Sequence, residues 1–121
     1  MIKILTMPNG LKIPEGCHIP ANVERKDWLG SGKIGTWLVP DYIFTISMKK
    51  AGFIHDWCYE NQVSKKTADK MFLHNMKVLI DNSGDCLAVK ENAKIISYYY
   101  YQAVNWFGYS AYNRCKKAKR G

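Results

Sequence analysis

The chain has 121 residues, 47% hydrophobic and 23% charged, with a formal net charge of +8. That length supports one domain, residues 1–121, able to bury roughly 65% of the surface it exposes when unfolded. The apolar content excludes a disordered polymer, and no period of roughly 20–50 residues marks a repeat array. The positive excess selects a class of partner, namely nucleic acid, acidic protein or anionic lipid, but no chemistry.

Residues 1–46 read as irregular and β-rich. Apolar segments at 2–5 and 11–13 flank Pro8-Asn9-Gly10, where Asn-Gly supplies the positive φ angles of a hairpin turn. The apolar stretch at the start is too short for a signal-peptide core, so no secretory leader is expected. Short strands are predicted at 37–39 and 42–46. Between these and the hairpin lies Trp28-Leu-Gly-Ser-Gly-Lys-Ile-Gly35, three glycines in six positions. Such a loop needs unusual backbone angles or an unobstructed approach to something.

From residue 49 the pattern turns helical, giving a helical core over 49–116. A first helix is expected over 51–60 and a second from an N-capping Ser64 to about residue 80. A turn follows at 82–85, then a long third helix over 88–116 and a basic tail at 117–121. On the second helix Asp69, Phe72, Leu73, Met76 and Ile80 share one face, so an acid lies on the inward stripe. Residues 95–113 form a run of 19 without a formal charge. It approaches the length of a membrane span, but Ser97, Gln102, Asn105, Ser110 and the tyrosines make hydrocarbon a poor solvent for it. A buried amphipathic helix is the expected outcome. An interfacial role is the alternative, because Tyr and Trp favour the headgroup layer and the basic run 114–120 follows directly.

Cys17, Cys58, Cys86 and Cys115 are widely spread, with no CxxC, and fit two disulfides or four thiols equally. His55 and Cys58 on one helical face, with Cys17-His18, support a zinc site only weakly. The informative unit is His55-Asp56. Adjacent helical positions point about 100° apart, so the two serve different neighbours. Asp69 is placed to accept the second ring N–H of His55 and fix its tautomer, the arrangement of a general base. Tyr59, one turn after His55, can donate its hydroxyl to the same carboxylate. The plain alternative is a core histidine with a satisfied buried acid. Carbonyls around Trp28, Gly30 and Gly32, joined by the Asp56 carboxylate, compose a candidate Ca²⁺ site.

His55-Asp-Trp-Cys-Tyr59 resembles the H-D-x-C-Y signature of secreted phospholipases A2. Trp28-Leu-Gly-Ser-Gly32 resembles their Y-C-G-x-G calcium loop and, more closely, the Y-L-G-P-G loop of the parvoviral capsid phospholipase domain. Ala68-Asp69 followed by Phe72 resembles the A-D-x-x-F element of that viral type. The resemblance implies that His55 is the general base, Asp69 its orienting acid and Asp56 the calcium ligand. It departs from the pattern at Trp28, where tyrosine is usual, and in the 27 residues from Trp28 to His55. A second likeness covers more of the chain. His55-Asp-Trp-Cys-Tyr59, Ser64-Lys-Lys-Thr-Ala-Asp-Lys-Met-Phe-Leu-His-Asn-Met76 and Tyr100-Tyr-Gln-Ala-Val-Asn-Trp-Phe-Gly-Tyr-Ser-Ala-Tyr112 resemble a small phage and prophage family of unknown function, as does Ile13-Pro-Glu-Gly16.

The expected fold is therefore mainly α and phospholipase A2-like, with an N-terminal irregular and β-hairpin segment, two antiparallel active-site helices and a long C-terminal helix. The expected function is calcium-dependent hydrolysis of the sn-2 ester of glycerophospholipids at an anionic membrane surface. His55, Asp69 and Tyr59 would form the catalytic set, with Asp56, Trp28, Gly30 and Gly32 at the metal. The alternatives are a non-catalytic phage or prophage protein retaining this core, and a basic nucleic-acid-binding module without a recognisable reading motif. A cytoplasmic or phage-associated location, or export without a classical leader, is consistent with the expected absence of a signal peptide.

Overall fold

A computed structural model describes residues 4–6, 12–14, 16–19 and 42–120, with side chains described over 16–19 and 42–115. The Trp28, Gly30 and Gly32 loop and the strand expected at 37–39 lie outside the described residues. At the N-terminus β1 (Ile4–Thr6) pairs antiparallel with β2 (Lys12–Pro14), with Leu5 opposite Ile13. The single strand expected over 42–46 is instead a small hairpin, β3 (Tyr42–Ile43) with β4 (Ile46–Ser47). Phe44, at φ 53, turns the chain between them. That turn lets Ile43 and Ile46 face inward together, whereas one continuous strand would send them to opposite faces.

Four helices follow: α1 (Lys49–Glu60), α2 (Lys65–Asp81), α3 (Leu87–Phe107) and α4 (Tyr109–Arg120). Every position from Ile54 to Tyr59 is buried, so this stretch of α1 is enclosed on all sides. It ends in a Schellman motif with Gln62 as the positive-φ residue, at φ 57. Val63 N–H donates to Cys58 O at 2.9 Å and Gln62 N–H to Tyr59 O at 3.2 Å. The chain then reverses through residues 61–64 into α2. Ser64 is the N-cap by position, but its side chain makes no capping hydrogen bond; its carbonyl accepts Ala68 N–H at 2.8 Å. The inward stripe of α2 holds Asp69, Phe72, Met76 and Ile80 as expected, leaves Leu73 half-buried, and adds Lys65 and Asn75.

The long third helix is two helices. Gly108 separates α3 from α4, and the second piece packs across α1, with Ala111 and Cys115 in the cluster of Ile54, Trp57 and Tyr59. The basic tail expected at 117–121 is helical as far as Arg120. Apolar packing forms two clusters: one joins α1, α2 and α4, and the other joins β3, β4, α1, α2 and α3. Residues 16–19 are tied to α2. Asn75 Nδ2 donates to His18 O at 2.9 Å and Asn75 Oδ1 accepts His18 N–H at 2.6 Å. Gly16, at φ +100, occupies backbone space that a side chain disfavours. Among the described residues no helix is long and apolar enough to cross a membrane.

Candidate functional site

The reversal after α1 sets His55 opposite Asp69, between the two apolar clusters. His55 Nε2 lies 2.8 Å from Asp69 Oδ1, and Tyr59 donates its hydroxyl to the same oxygen at 2.7 Å. His55 is 3% exposed and Asp69 fully buried. The imidazole is further fixed by the rings of Tyr59 and Phe72, with centroids 4.2 and 4.7 Å away. The structure thus brings together His55, Tyr59 and Asp69, three residues singled out in the sequence.

The fourth member is Lys65, to which the sequence reading assigned no role. Its ammonium donates to Asp69 Oδ2 at 2.6 Å, to Val104 O at 2.9 Å and to Asn105 O at 3.2 Å. It also lies 4.3 Å from the centroid of the Tyr109 ring. The two carbonyls belong to the last turn of α3, at the negative end of its dipole; Val104 O also accepts Gly108 N–H at 2.8 Å. Spacing was a usable signal, since Lys65 and Asp69 stand four apart on one helix. The lone glycine in a helical pattern was another. A Cβ at Gly108 would overlap Val104 O and stand 2.6 Å from the Tyr59 hydroxyl.

These contacts settle the protonation states. Burial alone would raise the Asp69 carboxyl, but hydrogen bonds from His55, Lys65 and Tyr59 hold it below its ordinary value, so it is ionised. Burial lowers His55, reinforced by the Lys65 charge and opposed by Asp69. A neutral imidazole facing a carboxylate through Nε2 keeps its proton on that nitrogen and a lone pair on Nδ1. Burial and the Asp69 charge push the Tyr59 hydroxyl upward, so it stays a donor. The thiol of Cys58 is pushed up to about 12, chiefly by burial, and is no nucleophile at neutral pH. Cys17, Cys58, Cys86 and Cys115 are all free.

Asp56 belongs to a different surface of α1, as the helical spacing required. Burial, and then the neighbouring Glu60, push its carboxyl up to about 8. The glycine loop expected to join it at a metal lies outside the described residues. Among those residues no group of three His, Cys, Asp or Glu could hold a metal ion, which leaves the zinc grouping of Cys17, His18, His55 and Cys58 unassembled. An open depression of about 430 Å³ near Thr45, Lys50 and Asn82 touches none of the His55 network.

Residues 33–84 match the family described as Protein of unknown function (DUF1353). This supports the likeness to a small family of unknown function rather than the phospholipase A2 likeness. The matched segment contains His55, Asp56, Tyr59, Lys65 and Asp69 and stops before α3. No curated protein and no solved structure matches the chain.

Proposed function

We propose that the protein is a phospholipase A2-like esterase acting on glycerophospholipids, with His55 as general base. One observation carries this reading: the 2.8 Å contact between His55 Nε2 and the ionised Asp69. It presents Nδ1 as the proton acceptor and supplies negative charge beside the imidazolium formed in the reaction. Nδ1 takes a proton from water as the water oxygen attacks the sn-2 carbonyl carbon. The same proton then passes to the glycerol oxygen as its bond to that carbon breaks, releasing the fatty acid. Tyr59 and Lys65 hold Asp69 in place throughout. Ca²⁺, held by Asp56 and by carbonyls near Trp28, Gly30 and Gly32, would supply stabilisation of the developing oxyanion when bound.

The test is release of fatty acid from mixed micelles at millimolar calcium. His55→Gln should abolish hydrolysis with calcium binding little changed, because the metal ligands lie elsewhere. Asp69→Asn should lower it less completely, and the double variant should match His55→Gln alone. Wild-type protein that hydrolyses no headgroup class overturns the proposal. A second reading draws on Lys65: the network is a buried polar tie in a non-catalytic phage or prophage protein. It expects His55→Gln to cost stability while no esterase activity exists to be lost.

A further inference from the structure

The buried side of α3 is formed by Ala93, Ser97 and Val104; its opposite side is exposed and aromatic. Ile95, Tyr98, Tyr99 and Trp106 fall within about a third of the helical circumference, with Phe107 and Tyr109 exposed on either side of Gly108. Trp106 and Phe107 are 71% and 68% exposed. The stripe is organised by its own polar edges. Trp106 Nε1–H donates to Gln102 Oε1 at 3.2 Å, and Gln102 Nε2–H donates to the Tyr98 hydroxyl at 2.7 Å. Exposed apolar groups gathered on one face mark a docking surface rather than scattered surface residues.

We infer that this face docks on an anionic lipid–water interface. Three features select that occupant. The rings carry hydroxyl, amide and indole N–H groups, which suit a boundary wet on one side better than a dry protein contact. No charge occurs from residue 95 to 113; Lys90, Glu91 and Lys94 precede it, with Lys94 paired to Asp81 at 2.7 Å, and the cationic excess stands at the other end, in Arg114 and the basic run after it. Nucleic-acid surfaces place cations among their rings to meet successive phosphates, and this stripe has none between them. A net charge of +8 opposes docking of a second copy and favours anionic headgroups. The stripe also leads toward the His55 network, since Tyr109 at its end lies beneath the Lys65 ammonium. Docking there names the interface on which the proposed esterase would work, and so rests on that reading for its purpose but not for its measurement.

The test uses the full chain and vesicles of ether-linked phosphatidylcholine, with and without ether-linked phosphatidylglycerol, which contain no ester to cleave. Co-sedimentation should show binding to the anionic vesicles that weakens as salt rises. Trp106→Ala with Phe107→Ala should weaken it by about tenfold or more, given the apolar area removed. Tyr42→Ala with Phe44→Ala, an exposed aromatic pair elsewhere, should bind as wild type. Wild-type protein that ignores anionic vesicles, or a Trp106/Phe107 variant that binds them undiminished, overturns the inference. So does salt-sensitive capture of single-stranded DNA or RNA by this face without vesicle binding. Loss of hydrolysis on ester lipids with docking intact would count against the esterase alone.

Discussion

Replacing Gly108 by alanine pits two physical effects of opposite sign against each other. The residue sits at φ −76 and ψ −6, a conformation any amino acid adopts, and alanine is favoured over glycine in helical conformations by about 1 kcal/mol. Propensity alone therefore predicts stabilisation. Space predicts the reverse. An added methyl would overlap the Val104 carbonyl oxygen and stand 2.6 Å from the Tyr59 hydroxyl, where ordinary contact begins at 3.4 Å. The hydroxyl must retreat by about 0.8 Å, enough along its axis to stretch its 2.7 Å bond to Asp69 to the limit of hydrogen bonding. Overpacking costs about 1–3 kcal/mol, and loss of a hydrogen bond to a buried carboxylate about 1.5–3 kcal/mol. After the propensity gain, Gly108→Ala should destabilise the protein by about 2–5 kcal/mol and lower Tm by roughly 10 °C or more. Urea and thermal unfolding followed by circular dichroism measure both. Tyr59→Phe removes the hydroxyl but leaves the overlap with Val104 O, so the double variant should stay less stable than Tyr59→Phe alone, yet lose at least about 1 kcal/mol less than the two single losses together. A Gly108→Ala protein as stable as wild type would refute the reasoning, and so would strict additivity in that cycle.

Lys65→Met should cost about 3–5 kcal/mol, because it leaves the Asp69 carboxylate buried without its counter-ion and removes a charged donor from two α3 carbonyls; chemical denaturation reads this directly, and a loss under about 1 kcal/mol would argue against a buried pair. Asp56→Asn should act in the opposite direction. With its carboxyl raised from 3.8 to about 8 in the folded protein, Asp56 is protonated in the native state where it is ionised in the unfolded chain. Its contribution is therefore present below the unfolded value and lost as pH climbs through the folded one. In calcium-free buffer the variant should melt with wild type near pH ~4 and above it near pH ~8.5. Millimolar calcium at the higher pH should raise the Tm of wild type only. A difference in melting temperature that does not widen with pH would remove Asp56 as the cause.

The helical spacing of the sequence placed α1 and α2 within about two residues of their observed ends, and put Asp69 on the buried stripe with Phe72 and Met76. It also brought His55, Tyr59 and Asp69 together, because one connection, at 61–64, joins the helices that carry them. What spacing could not reveal depends on long-range contact. The lack of room for a side chain at Gly108 depends in part on where the Tyr59 hydroxyl lies, some fifty positions earlier in the chain. Asn75 reads as an ordinary polar residue until the backbone of His18 meets it. Lys65 reads as a surface charge, since its partners include two carbonyls of a helix that begins more than twenty residues later. The turn at Phe44 carries no sequence signal, because neither Phe44 nor Thr45 is a usual positive-φ residue.

The Lys65 ammonium also bears on how the molecule opens. It is bound at once to α2, through Asp69, and to the final turn of α3. Fraying that turn alone would strip a buried cation of two acceptors, so the end of α3 is denied the independent breathing that helix termini ordinarily enjoy. Amide hydrogens around residues 104–108 should then exchange at rates close to those of the α1–α2 hairpin. The three helices would open as one cooperative unit, with Val104 of that turn sharing an apolar cluster with α1 and α2.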